Sequence, residues 1–243
     1  MFSCCIKIYS QTASFRNPEF QNFHKSLDLP PPTTIIGLVG AALGLSPKMA
    51  QAYVDEHSLK VGIAGSYKGR TMDTWKYNKR TSNMHLYDPL LDGSVIKREL
   101  LLHNQFFLIF SSDIEQNINE LVDAFENPFF ALTLGNSDSL AKVVGIESNL
   151  AITKSKKLEH CLVAGDIVEE VFRNTWQSFE FSIYQTSEPI TYDLPTRFHY
   201  KKDYGKREIA HTATFSFVGR AMELNFELEG VFVQNRFIPV FDL

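Results

Sequence analysis

Ready-made cofactor and metal frameworks are missing from this sequence. The chain of 243 residues holds 3 cysteines, Cys4, Cys5 and Cys161. An odd count with two adjacent members is not a disulfide framework. No Cys-x-x-Cys pair or His/Cys cluster is present, so no structural zinc and no other metal is expected. The histidines, His24, His57, His85, His103, His160, His199 and His211, are scattered, with no His-x-x-x-His or His-x-Glu pair. There is no G-x-G-x-x-G and no Gly-Lys-Ser/Thr, which excludes the common dinucleotide and Walker loops; no cofactor is expected. The longest apolar run, Ile35 to Leu45, has 11 residues. A membrane span needs roughly 20, so a membrane partner is excluded on length. The N-terminus "MFSCCIKIYS" lacks the basic-then-apolar layout of a signal peptide, which places the protein in the cytoplasm. A basic excess is also missing: the formal net charge is −4.

What is present favours a folded chain with a sizeable core. Hydrophobic residues make up 44%, charged residues 21%, and there are 20 phenylalanines. This composition argues against disorder. The length suits one large domain or two small ones.

Residues 2 to 10 alternate, with Phe2, Cys4, Ile6 and Ile8 on one face, as in a half-buried strand. A polar loop, "SQTASFRNPEFQNFHKSLDLPPP", leads to the apolar run. That run reads as a helix capped by Thr33 or Thr34, with a second helical piece from Lys48 to His57. Residues 58 to 67 and 97 to 110 are strand-like, while 68 to 96 show no clean period. "SSDIEQNINELVDAFEN" is an amphipathic helix in which Ser112 and Glu115 have capping-box spacing. "PFFALTLG" closes as a strand. The order strand, helix, strand, excursion, strand, helix, strand is that of an α+β, ferredoxin-like domain over 1–140, with room for a projecting β-hairpin at about 68–96. Residues 141–243 form a β-rich C-terminal region, a second lobe or an elaboration of the same sheet. Its strands are read at "AKVVGIES", "HCLVAGDIV", "SFEFSIYQT", "HTATFSFVG", "AMELNFEL" and "VFVQNRFIPVF".

Three stretches could carry function. In the apolar helix, Gly37, Gly40, Ala41 and Gly44 share one face and leave it almost bare, so another backbone can lie close. Each glycine weakens a helix by about 1 kcal/mol relative to Ala, so three of them point to a need for close approach. The start of that helix combines free N–H groups with two threonine hydroxyls, a phosphate site in outline. The second stretch, residues 67 to 88, holds Lys68, Arg70, Lys76, Lys79 and Arg80 among Tyr67, Trp75, Tyr77 and Tyr87. The third, residues 197 to 211, holds Arg197, Lys201, Lys202, Lys206 and Arg207, again among aromatics. Together these two carry 10 of the 24 basic and 4 of the 28 acidic side chains. Cations that follow phosphates and rings that stack on bases suit single-stranded nucleic acid.

The run "SFRNPEF" followed by "SLDLPPPTTIIGLVGAALGL" closely resembles the CRISPR-associated Cas-five family, RAMP-superfamily subunits of type I Cascade surveillance complexes. "KRELLLHNQFFLIF" and "PFFALTLGNSDSLAKV" add to the likeness, which is strongest over residues 1 to 45. The resemblance implies a ferredoxin-like domain with a hairpin thumb, matching the excursion at 68 to 96. It implies a non-catalytic, RNA-binding subunit of antiviral defence that caps the 5′ handle of CRISPR RNA. Its partners would be that handle, the Cascade backbone subunits, the large subunit and target DNA near the protospacer-adjacent motif. By matching motif, Phe15, Arg16, Asn17, Thr33, Thr34 and Gly37 would lie near the handle. Lys68, Arg70, Trp75, Lys76, Lys79 and Arg80 are assigned to RNA from composition and thumb position, and Arg197 from the third stretch. A glycine-rich loop near the C-terminus, found in several RAMP proteins, is missing, so its contacts do not transfer. The sequence is more similar to the types I-A and I-B branch than to the type I-C branch that cuts precursor RNA. The alternative is a metal-independent endoribonuclease using Tyr, Lys and His beside the basic stretches. A structural scaffold without RNA contact would place those stretches on unrelated faces.

Overall fold

The computed structural model describes residues 1–20, 23–78, 93–178 and 189–243. In chain order the elements are β1 (Phe2–Ala13), α1 (Pro32–Leu43), α2 (Pro47–Glu56), β2 (Lys60–Ser66), β3 (Gly69–Asn78), β4 (Gly93–Ser112), α3 (Glu115–Glu126), β5 (Ala141–Glu147) and β6 (Ile152–Leu158). They continue with β7 (Cys161–Ala164), α4 (Ile167–Ser178), β8 (Ile190–Tyr200), β9 (Arg207–Val218), β10 (Met222–Val233), β11 (Arg236–Pro239) and β12 (Phe241–Asp242).

One large sheet runs β5-β1-β4-β2-β7-β9-β8, with β3 added along β4 and β12 along β2. All these pairings are antiparallel. The long β4 changes partner part-way. Its first half pairs with β3, from Asn78↔Gly93 to Gly69↔Leu102. Its second half lies between β1 and β2. The change falls at His103, whose φ of 51° breaks the extended backbone. A second sheet runs β11-β10-β6.

The large sheet is covered on both faces. Cys4, Ile6, Ile8, Phe106, Leu108 and Phe110 pack toward Ile35 and Val39 of α1, Val54 of α2 and Leu121 and Phe125 of α3. Cys5, Ala64, Phe107 and Ile109 pack toward Leu158, Val231, Val233 and Ile238 of the second sheet and Ile167 of α4. This explains why β4 reads as an almost unbroken apolar run: a strand buried on both faces has no reason to alternate. It also corrects the half-buried reading of β1. Cys5 is fully buried on the second face, and buried Ser3 is satisfied by Ser111 Oγ at 2.8 Å.

Four other expectations change. "PFFALTLG" is not a strand. Its Phe129 and Phe130 amides donate to the Ala42 and Ala41 carbonyls at 2.9 Å, capping the end of α1, and the next edge strand is β5. Ser112 is not the cap of α3. It ends β4, and its Oγ accepts from Ile114 N–H at 3.2 Å and from Asn117 Nδ2 at 3.0 Å. "GDIV" turns into α4, with Asp166 Oδ1 accepting from Val168 N–H at 3.0 Å. "VFVQNRFIPVF" is a hairpin, because Gln234 and Asn235 both take positive φ. Most of "SFEFSIYQT" lies outside the described residues. Residues 141–243 supply strands to both edges of the large sheet as well as the second sheet. Among the described residues no single helix is long and apolar enough to cross a membrane.

Candidate nucleic-acid interface

Helix α1 begins at Pro32 with Pro31 as its cap, and no side chain caps it. Thr33 and Thr34 therefore lie inside the first turn rather than at the cap. Proline suits this position because its missing N–H is an orphan anyway. The consequence is a shortage of donors. Thr34 N–H bonds Pro31 O at 2.9 Å and Ile35 N–H bonds it at 3.4 Å, and the prolines have no N–H. Thr33 has the one first-turn amide without a partner among the described residues, so the entrance is a much poorer phosphate cradle than its sequence implies.

The three glycines of this run do three different things. A Cβ on Gly40 would stand 2.7 Å from Ala50 Cβ, so Gly40 lets α2 pack close. Gly44 ends the helix at φ 72°, against the ring of Phe129. The close neighbours are thus a side chain of a second helix and a ring. Around Gly37 nothing lies within 4 Å of an added Cβ.

That open space belongs to a cavity of about 120 Å³. Its floor is Gly37, Gly40 and Ala50, one side is Thr33 with Gln51, and the other is Phe198, Tyr200 and Arg207 from β8 and β9. Arg207 lies over the Phe198 ring, 4.1 Å from its centroid. Gln51 fixes the wall: its Oε1 accepts from Phe198 N–H at 2.9 Å, and its Nε2 donates to Phe198 O at 3.2 Å. Lys201, Lys202 and Lys206 rim the hairpin, all exposed. Lys201 pairs with Glu208 at 2.9 Å and Lys48 with Asp203 at 3.9 Å, which leaves Lys202 and Lys206 without an ion pair among the described residues. The helix entrance and the third basic stretch, far apart in sequence, therefore form one groove.

Other expected site residues are placed differently. Phe15 is buried, edge to face with Phe106 at 5.7 Å. Asn17 is buried, its Oδ1 accepting from Glu19 N–H at 3.0 Å. Arg16 is exposed. Arg70 is drawn inward: it pairs with Asp28, with Glu99 at 2.9 Å and with the Tyr67 hydroxyl. Burial raises the Tyr67 pKa, with Asp28 adding to the shift and Arg70 opposing it. Burial raises that of Tyr192, helped by Glu19 and Asp28 nearby. Lys68, Trp75 and Lys76 are exposed on or beside β3. Neither lysine has an ion pair with a described residue. Lys79 and Arg80 lie outside the described residues. Arg197 is engaged by Asp55, through Nε at 2.7 Å, and by Thr196 O and Leu243 O.

Arg98, not singled out from sequence, anchors the base of the β3–β4 ladder. It is 4% exposed, bonds Asp73 at 2.6 Å and Asp138 at 2.9 Å, and lies beneath Trp75. Its hydrogen bond holds the Asp138 pKa below the usual carboxylate range. Burial lowers the His24 pKa, and the Arg16 and Arg98 cations lower it further. The sequence names Arg207 only as one of the cations of the third stretch and does not single out Phe198 or Tyr200. The useful signal was alternation, since Phe198 and Tyr200 are two apart on one strand and face the same side. Gln51 had no signal in the sequence.

Two solved structures share the fold. A structure described as a CRISPR RNA-guided surveillance complex matches with a TM-score of 0.54 and 13% identity, covering 91% of this chain and 90% of that one. A CRISPR protein from Archaeoglobus fulgidus matches with a TM-score of 0.53 and 11% identity over 100% of both chains. The mixed α/β architecture, dominated by antiparallel sheet, is thus one found among CRISPR-associated proteins. A search of curated proteins returned no match. The family model described as CRISPR-associated protein (Cas_Cas5) matches residues 4–209, and the chain belongs to that family.

Proposed function

We propose that the protein is a non-catalytic, RNA-binding subunit of a CRISPR effector of the type I Cascade class, acting in the cytoplasm. In this reading it caps the 5′ handle of CRISPR RNA and joins the backbone subunits to the large subunit, near the duplex bearing the protospacer-adjacent motif. Family membership and the fold likeness to a surveillance-complex structure support it. We read the order β5-β1-β4-β2, with α1 and α3 as crossovers, as the ferredoxin-like core. The β3–β4 ladder is then the base of the thumb.

The observation that carries the RNA reading is the groove. It joins the start of α1 to the basic, aromatic β8–β9 hairpin, and puts two rings and a guanidinium beside the first turn of the helix. Stacking surfaces next to cations hold a single strand without reading a duplex. The nuclease alternative needs a base, an acid and a cation to converge. The groove offers Tyr200 and Arg207, but His199 alternates to the other side of β8, and His211 is bonded to Thr196 Oγ1 at 2.7 Å.

Incubating the protein with end-labelled repeat RNA in EDTA separates the two readings. Intact RNA is expected. A single discrete cut, lost on replacing histidines, overturns the non-catalytic assignment. In a salt titration of RNA binding, Arg207→Glu should weaken binding and flatten the slope of log K against log salt by about 1.

A further inference from the structure

We propose that the outer half of the β8–β9 hairpin is a strap, hinged on the large sheet and held shut against α2 by a polar latch. The inference concerns a motion of the chain itself and stands whether or not RNA is the ligand.

The crease lies in the ladder. From Ile190↔Phe217 to Pro195↔Thr212 the strands keep one register, and from Phe198↔Ile209 to Tyr200↔Arg207 they keep it again. Between these lies Arg197↔His211, with a register shift on each side, so that Thr196 and Ala210 are extra residues on their strands. Bulges disrupt a ladder locally and bend it, and Pro195 beside them has no N–H to give. A side-chain bond, Thr196 Oγ1 to His211 Nδ1 at 2.7 Å, spans the crease. Burial divides at the same place. Leu194, Thr196, Phe215 and Phe217 are buried, whereas no residue from Arg197 to Thr214 is. The outer half is still a unit, because Arg207 lies over the Phe198 ring and Lys201 pairs with Glu208 at 2.9 Å.

Helix α2 holds that unit down. Lys48, Gln51 and Asp55 share one face of the helix by their i, i+3, i+7 spacing, while Ala50 and Val54 anchor it in the core. Asp55 accepts from Arg197 Nε at 2.7 Å. Gln51 takes both backbone groups of Phe198, at 2.9 and 3.2 Å. Lys48 faces Asp203 at 3.9 Å. Each tether is polar, and each can be exchanged for water at small net cost. Close packing does not back them up: between α1 and the strap lies the cavity of about 120 Å³, and Phe198 and Tyr200 line it without joining the core. Releasing the latch therefore swings the strap about the crease and widens the groove, while the inner half stays in the sheet.

The test is hydrogen exchange of the full-length protein without ligand, read by mass spectrometry, in wild type, Gln51→Ala and Asp55→Ala. Local opening sets exchange at such amides. Both variants should retain cooperative unfolding. Each should speed exchange across residues 197–209 about tenfold, the effect of losing one or two hydrogen bonds on an opening equilibrium. Residues 190–194 and 212–217 should exchange as in wild type. Unchanged exchange at 197–209 in both variants overturns the latch. Acceleration that runs past the crease into 190–194 and 212–217 overturns the hinge, because the hairpin then opens as one piece.

Discussion

At the residue scale, identical residue types in one helix have different consequences. Adding a methyl at Gly37 should stabilise the protein by up to about 1 kcal/mol, since it restores helix propensity without a clash. At Gly40 the same methyl drives into Ala50 and should destabilise by about 1–3 kcal/mol, as overpacked cores do. Denaturant unfolding of Gly37→Ala and Gly40→Ala checks both signs in one experiment. The cysteines behave as core residues. Burial pushes the thiols of Cys4, Cys5 and Cys161 up to about 12. Native protein at mildly alkaline pH should therefore react with a thiol probe only as it opens, and all three thiols should react at once in denaturant. Fast reaction of any one in native protein would contradict its burial. The sequence singles out Arg197 within the third basic stretch, and the structure gives that guanidinium protein partners. Arg197 and Arg207 are equivalent by composition. Only the fold places Asp55 and the Leu243 carbonyl beside the first and leaves the second at the cavity.

At the element scale, the β3–β4 ladder is fixed at its base by two networks. Arg70 joins β3 to Asp28 of the proline loop and Glu99 of β4, and Arg98 joins Asp73 to Asp138. Folding depresses the Asp138 pKa, chiefly through its bond to Arg98. The sign follows from linkage. A carboxylate whose pKa falls on folding adds stability above its unfolded value, about 3.9. That stability is lost as pH falls through the lower folded value. Asp138→Asn should thus be less stable than wild type at neutral pH, and the difference should vanish in strong acid. A difference that persists unchanged at the acid end would show that Asp138 does not act through its charge. Because Arg70 is one-third exposed, Arg70→Ala should lower stability by only about 1 kcal/mol. The loss of period after residue 67 falls where β3 pairs with the first half of β4. The anchors were not legible, since both join residues more than 24 positions apart.

At the scale of the whole molecule, β1, β2, β4 and the helices of the first half were readable from local pattern, while β3 lies in a stretch with no clean period. The C-terminal half was readable only as strand-rich. Which sheet, and which edge of it, each of these strands joins depends on contacts that no local pattern records. The joining decides the function proposed here, because β8 and β9 extend the sheet past β7 and bring the third basic stretch to α1. A chain of net charge −4 thereby brings Arg207 and two aromatic rings to the wall of one groove. The most direct test of that claim is photocrosslinking of the intact protein to 4-thiouridine-substituted repeat RNA, with the linked peptides identified by mass spectrometry. The account predicts links to Phe198 or Tyr200 and to the segment around Thr33 and Gly37. Efficient links confined to other faces, with none to either wall of this groove, would contradict it.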